Sequence, residues 1–438
     1  MLGRMGTHPD RSTALLTDRY ELTMLHATLA DGRASRRSVF EMFTRRLSGG
    51  RRYGVVAGTG RILEAIADFG FGDDEVRFLR DSGVIDATTA AWLADFRFGG
   101  DIWGYPEGEL YFPGSPVLVV EGTFAECVVL ETLVLTILNH DSAIATAGAR
   151  MIASAGDRPC IEMGSRRTHE DAAVAAARAA YIAGFAATSN LEAGRTYGIP
   201  TTGTAAHAFT LVHDTEREAF EAQIAALGSD TTLLVDTYDI AEGVRNAIAA
   251  GGTGLGAVRL DSGDLAQVAA EVRAQLDELG ATSTRITVTS DLDEHAIAAL
   301  AVAPIDGYGV GTSLVTGSGV PTSGFVYKLV AREDDGGTMV PVAKKSKDKI
   351  SVGGRKYAGR RRENDVATAE VIGIGEPPAT DHDDRELLVP LVRGGVPQDL
   401  GTLDDARARR HAALHELPAT GLRLSKGDPA IPTQYEER

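Results

Sequence analysis

Cysteine is nearly absent: only Cys127 and Cys160 occur in 438 residues. That excludes a disulfide framework and a cysteine-rich metal site, and a reducing, cytoplasmic setting is the simplest expectation. Positive charge is also scarce. The chain has 44 Lys and Arg against 61 Asp and Glu, a net −17. Nothing supports a broad basic surface, so nucleic acid is not expected as a partner. An anion must instead be held by a few placed cations or by backbone N–H groups. The apolar stretches are interrupted, as at Glu131, Asn139, His140 and Asp141. None reads as the ~20 uninterrupted residues of a membrane span, so no membrane is expected. Met1 to Asp10 lacks the apolar run of a signal peptide. Two nucleotide motifs are missing as well: the G-x-x-x-x-G-K-[ST] loop, and G-x-G-x-x-G opening a helix after a first strand. Gly252-Thr253-Gly254-Leu255-Gly256 precedes a strand-like run and reads as a turn.

What is present is a globular composition, 43% hydrophobic and 24% charged, long enough for two or three domains. Fifty glycines point to many tight turns. Over 1–125, short strand-like runs such as Val39–Phe43 mix with helices at Thr59–Phe69 and Asp73–Gly83. Ile102–Val120, broken by Gly and Pro, suits short antiparallel strands. Glu126–Ala155 reads as one long apolar helix. From Ile161 to Val310, short apolar runs alternate with helices, including a strand expected at Gly198–Thr202. That rhythm implies βαβ units and a parallel sheet, barrel-like or, as the rival, doubly wound. The expected fold class is α/β, an irregular (β/α) barrel-like domain with a smaller N-terminal α/β (α+β) domain. The expected domains are 1–125, 126–330 and 331–438. The last holds a hairpin around Asp334-Asp335-Gly336-Gly337, a basic run from Lys344 to Lys349, a helix at Asp404–Leu417 and a tail.

In such folds chemistry collects where strands end. Six ends deliver Glu162-Met163-Gly164-Ser165-Arg166-Arg167, then Gly203-Thr204-Ala205-Ala206-His207, then Asp236-Thr237-Tyr238-Asp239. Arg259 precedes Asp261-Ser262-Gly263-Asp264, and Thr289-Ser290-Asp291 and Gly311-Thr312-Ser313 follow. Taken singly, Asp236 or Asp291 is an ordinary helix cap. Cations at helix starts are not, because they oppose the dipole. Arginines beside glycine turns suit phosphate or carboxylate. Gly309-Val310-Gly311-Thr312 can cradle a phosphate with its N–H groups. Asp261 and Asp264 can hold Mg²⁺ partly through waters. Together these suggest phosphorylated-sugar or nucleotide chemistry; the class alone would equally suit a barrel aldolase or isomerase.

The residues also resemble a known family. Thr17-Asp18-Arg19-Tyr20-Glu21-Leu22-Thr23-Met24, Glu162–Arg167, Gly203–Phe209, Val258–Asp264 and Gly309–Thr312 are similar, in order, to the motifs of nicotinate phosphoribosyltransferases. The resemblance runs from about residue 13 to 360 and implies an ATP-coupled reaction. Nicotinate and 5-phosphoribosyl 1-pyrophosphate would give nicotinate mononucleotide and pyrophosphate, the entry to NAD salvage. It implies Mg²⁺, a homodimer with sites near the subunit boundary, and a transiently phosphorylated histidine, which by motif is His207. It further implies Tyr20 as a ring for nicotinate, with Thr204 and Arg259 at its carboxylate. Arg166, Arg167, Gly309, Gly311 and Thr312 would hold phosphates. Asp261, Asp264 and Glu162 would serve ribose, metal or catalysis. The basic run at 344–349 resembles a family segment that reaches the site, and otherwise reads as a solvated loop. Rival readings are a nicotinamide or quinolinate phosphoribosyltransferase, or a non-catalytic metabolite-binding regulator on the same scaffold.

Overall fold

The computed structural model describes residues 12–344, 352–381 and 383–436. Most of the basic run at 344–349 therefore lies outside the described residues. The chain forms two compact units, residues 147–319 and residues 1–146 with 320–438.

Unit 147–319 carries six parallel strands: Cys160–Glu162, Ala187–Thr188, Thr232–Leu234, Ala257–Leu260, Arg285–Ser290 and Gly307–Val310. Numbered along the chain, their order in the sheet is second, first, sixth, fifth, fourth, third. Read as a ring, that is simple succession, with only the pairing between second and third strands missing among the described residues. A doubly wound sheet would reverse direction at a switch point; this sheet never does. It is a barrel-like sheet opened at one seam.

The strands form where β-branched and apolar residues cluster. Val258, Leu260, Ile286, Val288, Tyr308 and Val310 are all fully buried. The helices between them start on side-chain caps. Asp239 accepts from the Glu242 N–H, Asp264 from the Gln267 N–H, and Thr215 forms a capping box with Glu218. Gly184, in the left-handed conformation at φ 115°, ends the alanine-rich helix Glu170–Ala183.

One expected strand does not form. At Gly198–Thr202 there is only an isolated bridge between Thr188 and Thr201. Pro200 has no N–H for a ladder, and Gly198 terminates a helix, Leu191–Tyr197, that the sequence reading passed over. The strand beside it is the two-residue Ala187–Thr188.

The other unit is an α+β assembly on a seven-stranded antiparallel sheet. Its order is Met339–Pro341, Phe325–Glu333, Arg37–Thr44, Leu118–Thr123, Asp101–Gly104, Val389–Arg393, Val396–Pro397. Three N-terminal strands are thus flanked on both sides by C-terminal ones in one sheet, so the strands of 331–438 belong to the same unit as the N-terminal chain, and this unit is the larger of the two. The tail, too, is built in: Thr433–Glu436 pairs in parallel with Val366–Ile374. The expected long helix is Phe124–Val128 followed by Glu131–Ala155, and the unit division falls inside the second piece. By length and composition the stretch Phe124–Ala155 is apolar enough to cross a bilayer, contrary to the sequence reading, but most of it is buried inside the protein. It carries the buried Asp141, Ser142, Thr146 and Arg150.

Candidate active site at the strand ends

Arg259, near the end of the fourth strand, is the centre of the rim of unit 147–319. Its Nε donates to Thr289 Oγ1 at 2.9 Å and its Nη1 to Thr204 Oγ1 at 2.8 Å. Its Nη2 lies 3.3 Å from Asp261 Oδ1. Thr289 Oγ1 in turn donates to Asp261 Oδ1. Burial alone would raise the Asp261 carboxyl. Thr289, Arg259 and His207 outweigh it and hold the group below the usual carboxylate range. A guanidinium has five donors. Three are engaged here, which leaves one on each terminal nitrogen for a ligand.

His207 opens the short helix His207–Leu211, and its Nδ1 is 3.1 Å from Thr237 Oγ1. The loop carrying Thr204 and His207 belongs to the stretch of chain between the second and third strands, the two that flank the seam. Behind it, Asp236 Oδ2 accepts from the Asp261 N–H and the Ser262 hydroxyl, both at 2.8 Å. Asp236 Oδ1 is buried and has no hydrogen-bond partner.

Glu162, 1% exposed, turns inward. It accepts from the Gly164 N–H and the Thr188 hydroxyl, and burial pushes its carboxyl above the usual range. It shapes the loop after the first strand and ties it to the second. Arg166 and Arg167 follow on a single turn, Ser165–Arg167, both exposed. That loop abuts the turn after the sixth strand: the Met163 N–H donates to the Val310 carbonyl at 2.8 Å. A Cβ on Gly164 would lie 2.3 Å from Val315 Cγ1 and 3.0 Å from the Gly311 carbonyl oxygen. Only glycine lets the two loops approach so closely. Gly309 is similarly confined, since a Cβ there would meet Thr289 Cγ2 at 2.5 Å. Gly311 caps the one-turn helix Thr312–Val315, and Thr312 is exposed at its start.

Asp264 behaves differently from Asp261. It is exposed and caps its own helix through the Gln267 N–H at 3.4 Å. Among the described residues no three His, Cys, Asp or Glu side chains form a metal cage. Burial pushes the Cys160 thiol up to about 12, which removes it as a nucleophile.

In the other unit, Tyr20 stands at the start of helix Arg19–Ala30, 45% exposed. Partial burial and the neighbouring Glu131, which hydrogen-bonds the phenol, raise its pKa. The next residue of that motif is structural. Glu21 is fully buried, accepts from the Thr132 N–H at 2.9 Å, and burial pushes its carboxyl up to about 7.

The structure thus gathers Thr204, His207, Arg259 and Asp261 in one hydrogen-bonded and electrostatic network, with the Arg166–Arg167 loop beside the Gly311–Thr312 turn. It adds Thr237 and Thr289, which the sequence left unassigned, and Asp236, which read as a helix cap and instead holds the loop of Asp261 and Ser262. All three stood in the strand-end segments; what singled them out is the register between neighbouring strands.

A barrel-like parallel sheet presenting cations, hydroxyls and glycine turns at its strand ends defines an α/β enzyme site suited to anionic ligands. Comparison with known proteins makes this specific. The family model of the nicotinate phosphoribosyltransferase N-terminal domain matches residues 15–139. A nicotinate phosphoribosyltransferase of Mycobacterium tuberculosis is 60% identical, covering 96% of this chain and 94% of its own. The Bacillus subtilis nicotinate phosphoribosyltransferase is 38% identical over 87% of this chain and 80% of its own. The crystal structure of human nicotinic acid phosphoribosyltransferase superposes with a TM-score of 0.82 at 27% identity, covering 96% of this chain and 97% of that one. The chain belongs to the nicotinate phosphoribosyltransferase family.

Proposed function

We infer that this protein transfers the 5-phosphoribosyl group from 5-phosphoribosyl 1-pyrophosphate to nicotinate. The ring nitrogen attacks the anomeric carbon, the carbon–oxygen bond to pyrophosphate breaks, and nicotinate mononucleotide and pyrophosphate result. The observation that carries this reading is full-length likeness to nicotinate phosphoribosyltransferases together with Arg259, whose two remaining donors suit a carboxylate. An uncharged nicotinamide would leave them partly unmet, which favours the acid over the amide.

The finer assignments are ours. Tyr20 offers its ring to nicotinate. Arg166, Arg167 and the Gly309–Thr312 turn take the phosphates. ATP passes its γ-phosphoryl group to the imidazole of His207, ADP leaves, and water later returns the histidine with release of phosphate. In the tautomer that donates its Nδ1–H to Thr237 Oγ1, 3.1 Å away, Nε2 carries the lone pair that attacks. Mg²⁺ prefers one or two carboxylates plus substrate phosphate oxygens. Asp261 and the unpartnered Asp236 Oδ1 fit that pattern better than Asp264, whose carboxylate caps a helix. When bound, the ion supplies charge that stabilises departing pyrophosphate. Both cysteines are free and buried, in keeping with the cytoplasm, and we propose a homodimer there.

The test is phosphoenzyme trapping with γ-labelled ATP. Wild type should retain label and His207→Ala none, while the mutant keeps a slower, ATP-independent synthesis. Label in His207→Ala at the wild-type level would refute the histidine's role. A preference for nicotinamide over nicotinate would refute the substrate.

A further inference from the structure

We propose that Thr289 is a positioning residue that sets the specificity for the acid, by keeping Arg259 and Asp261 from closing onto each other. The inference rests on the nicotinate reading and extends it to a residue that no motif assigns.

Thr289 lies on the fifth strand and is 5% exposed. Its hydroxyl is the one group that touches both charged neighbours. It accepts from Arg259 Nε at 2.9 Å and donates to Asp261 Oδ1. The three groups close a small ring, because Arg259 Nη2 also approaches Asp261 Oδ1 at 3.3 Å. A hydroxyl has one proton to donate and lone pairs to accept with, so this side chain fits both demands at once.

Without that hydroxyl the Arg259 Nε–H is orphaned in a mostly buried place. An arginine and a carboxylate so close then have a ready alternative, the bidentate pair with two parallel hydrogen bonds. Closing that pair would pull the guanidinium away from Thr204, 2.8 Å from Nη1, and consume the donors left for a substrate carboxylate. Thr289 therefore maintains a cation that is neutralised only in part. The substrate sugar does not use these donors and would feel the closed pair only through Asp261, one of the two carboxylates proposed for Mg²⁺, so its binding should change less than that of nicotinate.

Thr289→Val keeps the shape and removes the hydroxyl; Thr289→Ser keeps the hydroxyl. In the valine variant the KM for nicotinate should rise about tenfold or more, the loss of one oriented charge-assisted contact. The KM for 5-phosphoribosyl 1-pyrophosphate should rise by clearly less than that for nicotinate, the preference for nicotinate over nicotinamide should fall, and serine should restore both. Equal rises for both substrates, an unchanged nicotinate KM, or no rescue by serine would overturn the proposal. Should the valine variant misfold, Thr289→Ala is read the same way. A crystal structure of the variant judges the idea independently of turnover. Arg259 should be turned into a closed pair with Asp261; a guanidinium still bound to Thr204 in its present place would refute it. Wild-type protein inactive on nicotinate would sink the substrate reading, and the crystal structure would still decide the role of Thr289.

Discussion

Two clusters of arginine and carboxylate, one in each unit, use the same residue types for opposite ends. In the larger unit Arg360 is fully buried between Glu109 at 3.6 Å and Glu370 at 2.9 Å. Arg385 joins Glu109 and Glu416, each at 2.8 Å. Burial alone would raise Glu109, yet Arg360 and Arg385 hold it below the usual range. This network is sealed from solvent, though not saturated: Arg360 Nε and Nη1 are buried without a hydrogen-bond partner among the described residues, while its charge is balanced by carboxylates of the same unit and strands from both ends of the chain are pinned together. The Arg259 cluster is opened instead, with a guanidinium 15% exposed and an aspartate 34% exposed. Charge that is buried and balanced within its own unit makes architecture. Charge that is held in place at a rim open to solvent is available to a ligand.

The sharpest way to break this comparison is to remove one cation from each cluster. Arg360→Met strands the buried Glu370, so it should cost about 3–5 kcal/mol of stability, visible as a lowered urea midpoint. The fraction that folds should keep the wild-type KM for nicotinate. Arg259→Ala should reverse that pattern. Its stability should fall by about 1–2 kcal/mol, less than in Arg360→Met, because the partners it leaves can still reach solvent. Its KM for nicotinate should rise about a hundredfold, as expected for a lost charged pair of hydrogen bonds, with little effect on the sugar substrate. Equal rises for both substrates would count against a carboxylate contact. The mildest effect sharpens the acidic side of the rim. Asp264→Ala should lose about 1 kcal/mol, the worth of a helix cap, with the Mg²⁺ dependence of turnover unmoved. A large shift in that dependence would return Asp264 to the metal.

The same comparison explains what could be read from the sequence. The alternation of apolar runs and helices was legible because helix and strand periods differ, and it foretold the barrel-like sheet from Ile161 to Val310 almost element by element. His207 and Arg259 were legible as types out of place, cations where a bland sheet wants caps, and Thr204 and Asp261 through the family motifs that contain them. The sealed network was not. Arg360 opens a run of three arginines, Glu370 stands between Ala369 and Val371, and Glu416 follows a helix; nothing local shows that the C-terminal chain folds back against Glu109, which is what joins them. For the same reason the C-terminal stretch read as a separate domain. Asp264 and Glu162 show the limit from the other side, since a carboxylate at a strand end looks the same whether it faces a substrate, a helix or the backbone beneath it. Thr289 was invisible because its importance lies in which strand stands next to it.

The missing pair between Ala187–Thr188 and Thr232–Leu234 leaves a ladder edge on each side of the seam, the first covered only by the Thr188–Thr201 bridge, and each is only two or three residues long. Edges so short offer little template for a foreign strand. In return, the stretch of chain between them is freed from the alternating in-and-out rule that a seventh or eighth strand would impose. Threonine, histidine and glycine can be placed there by local need alone. An incomplete ring is thus a permissive one, in which the residue proposed to carry phosphate lies on chain that no hydrogen-bonded ladder holds in register.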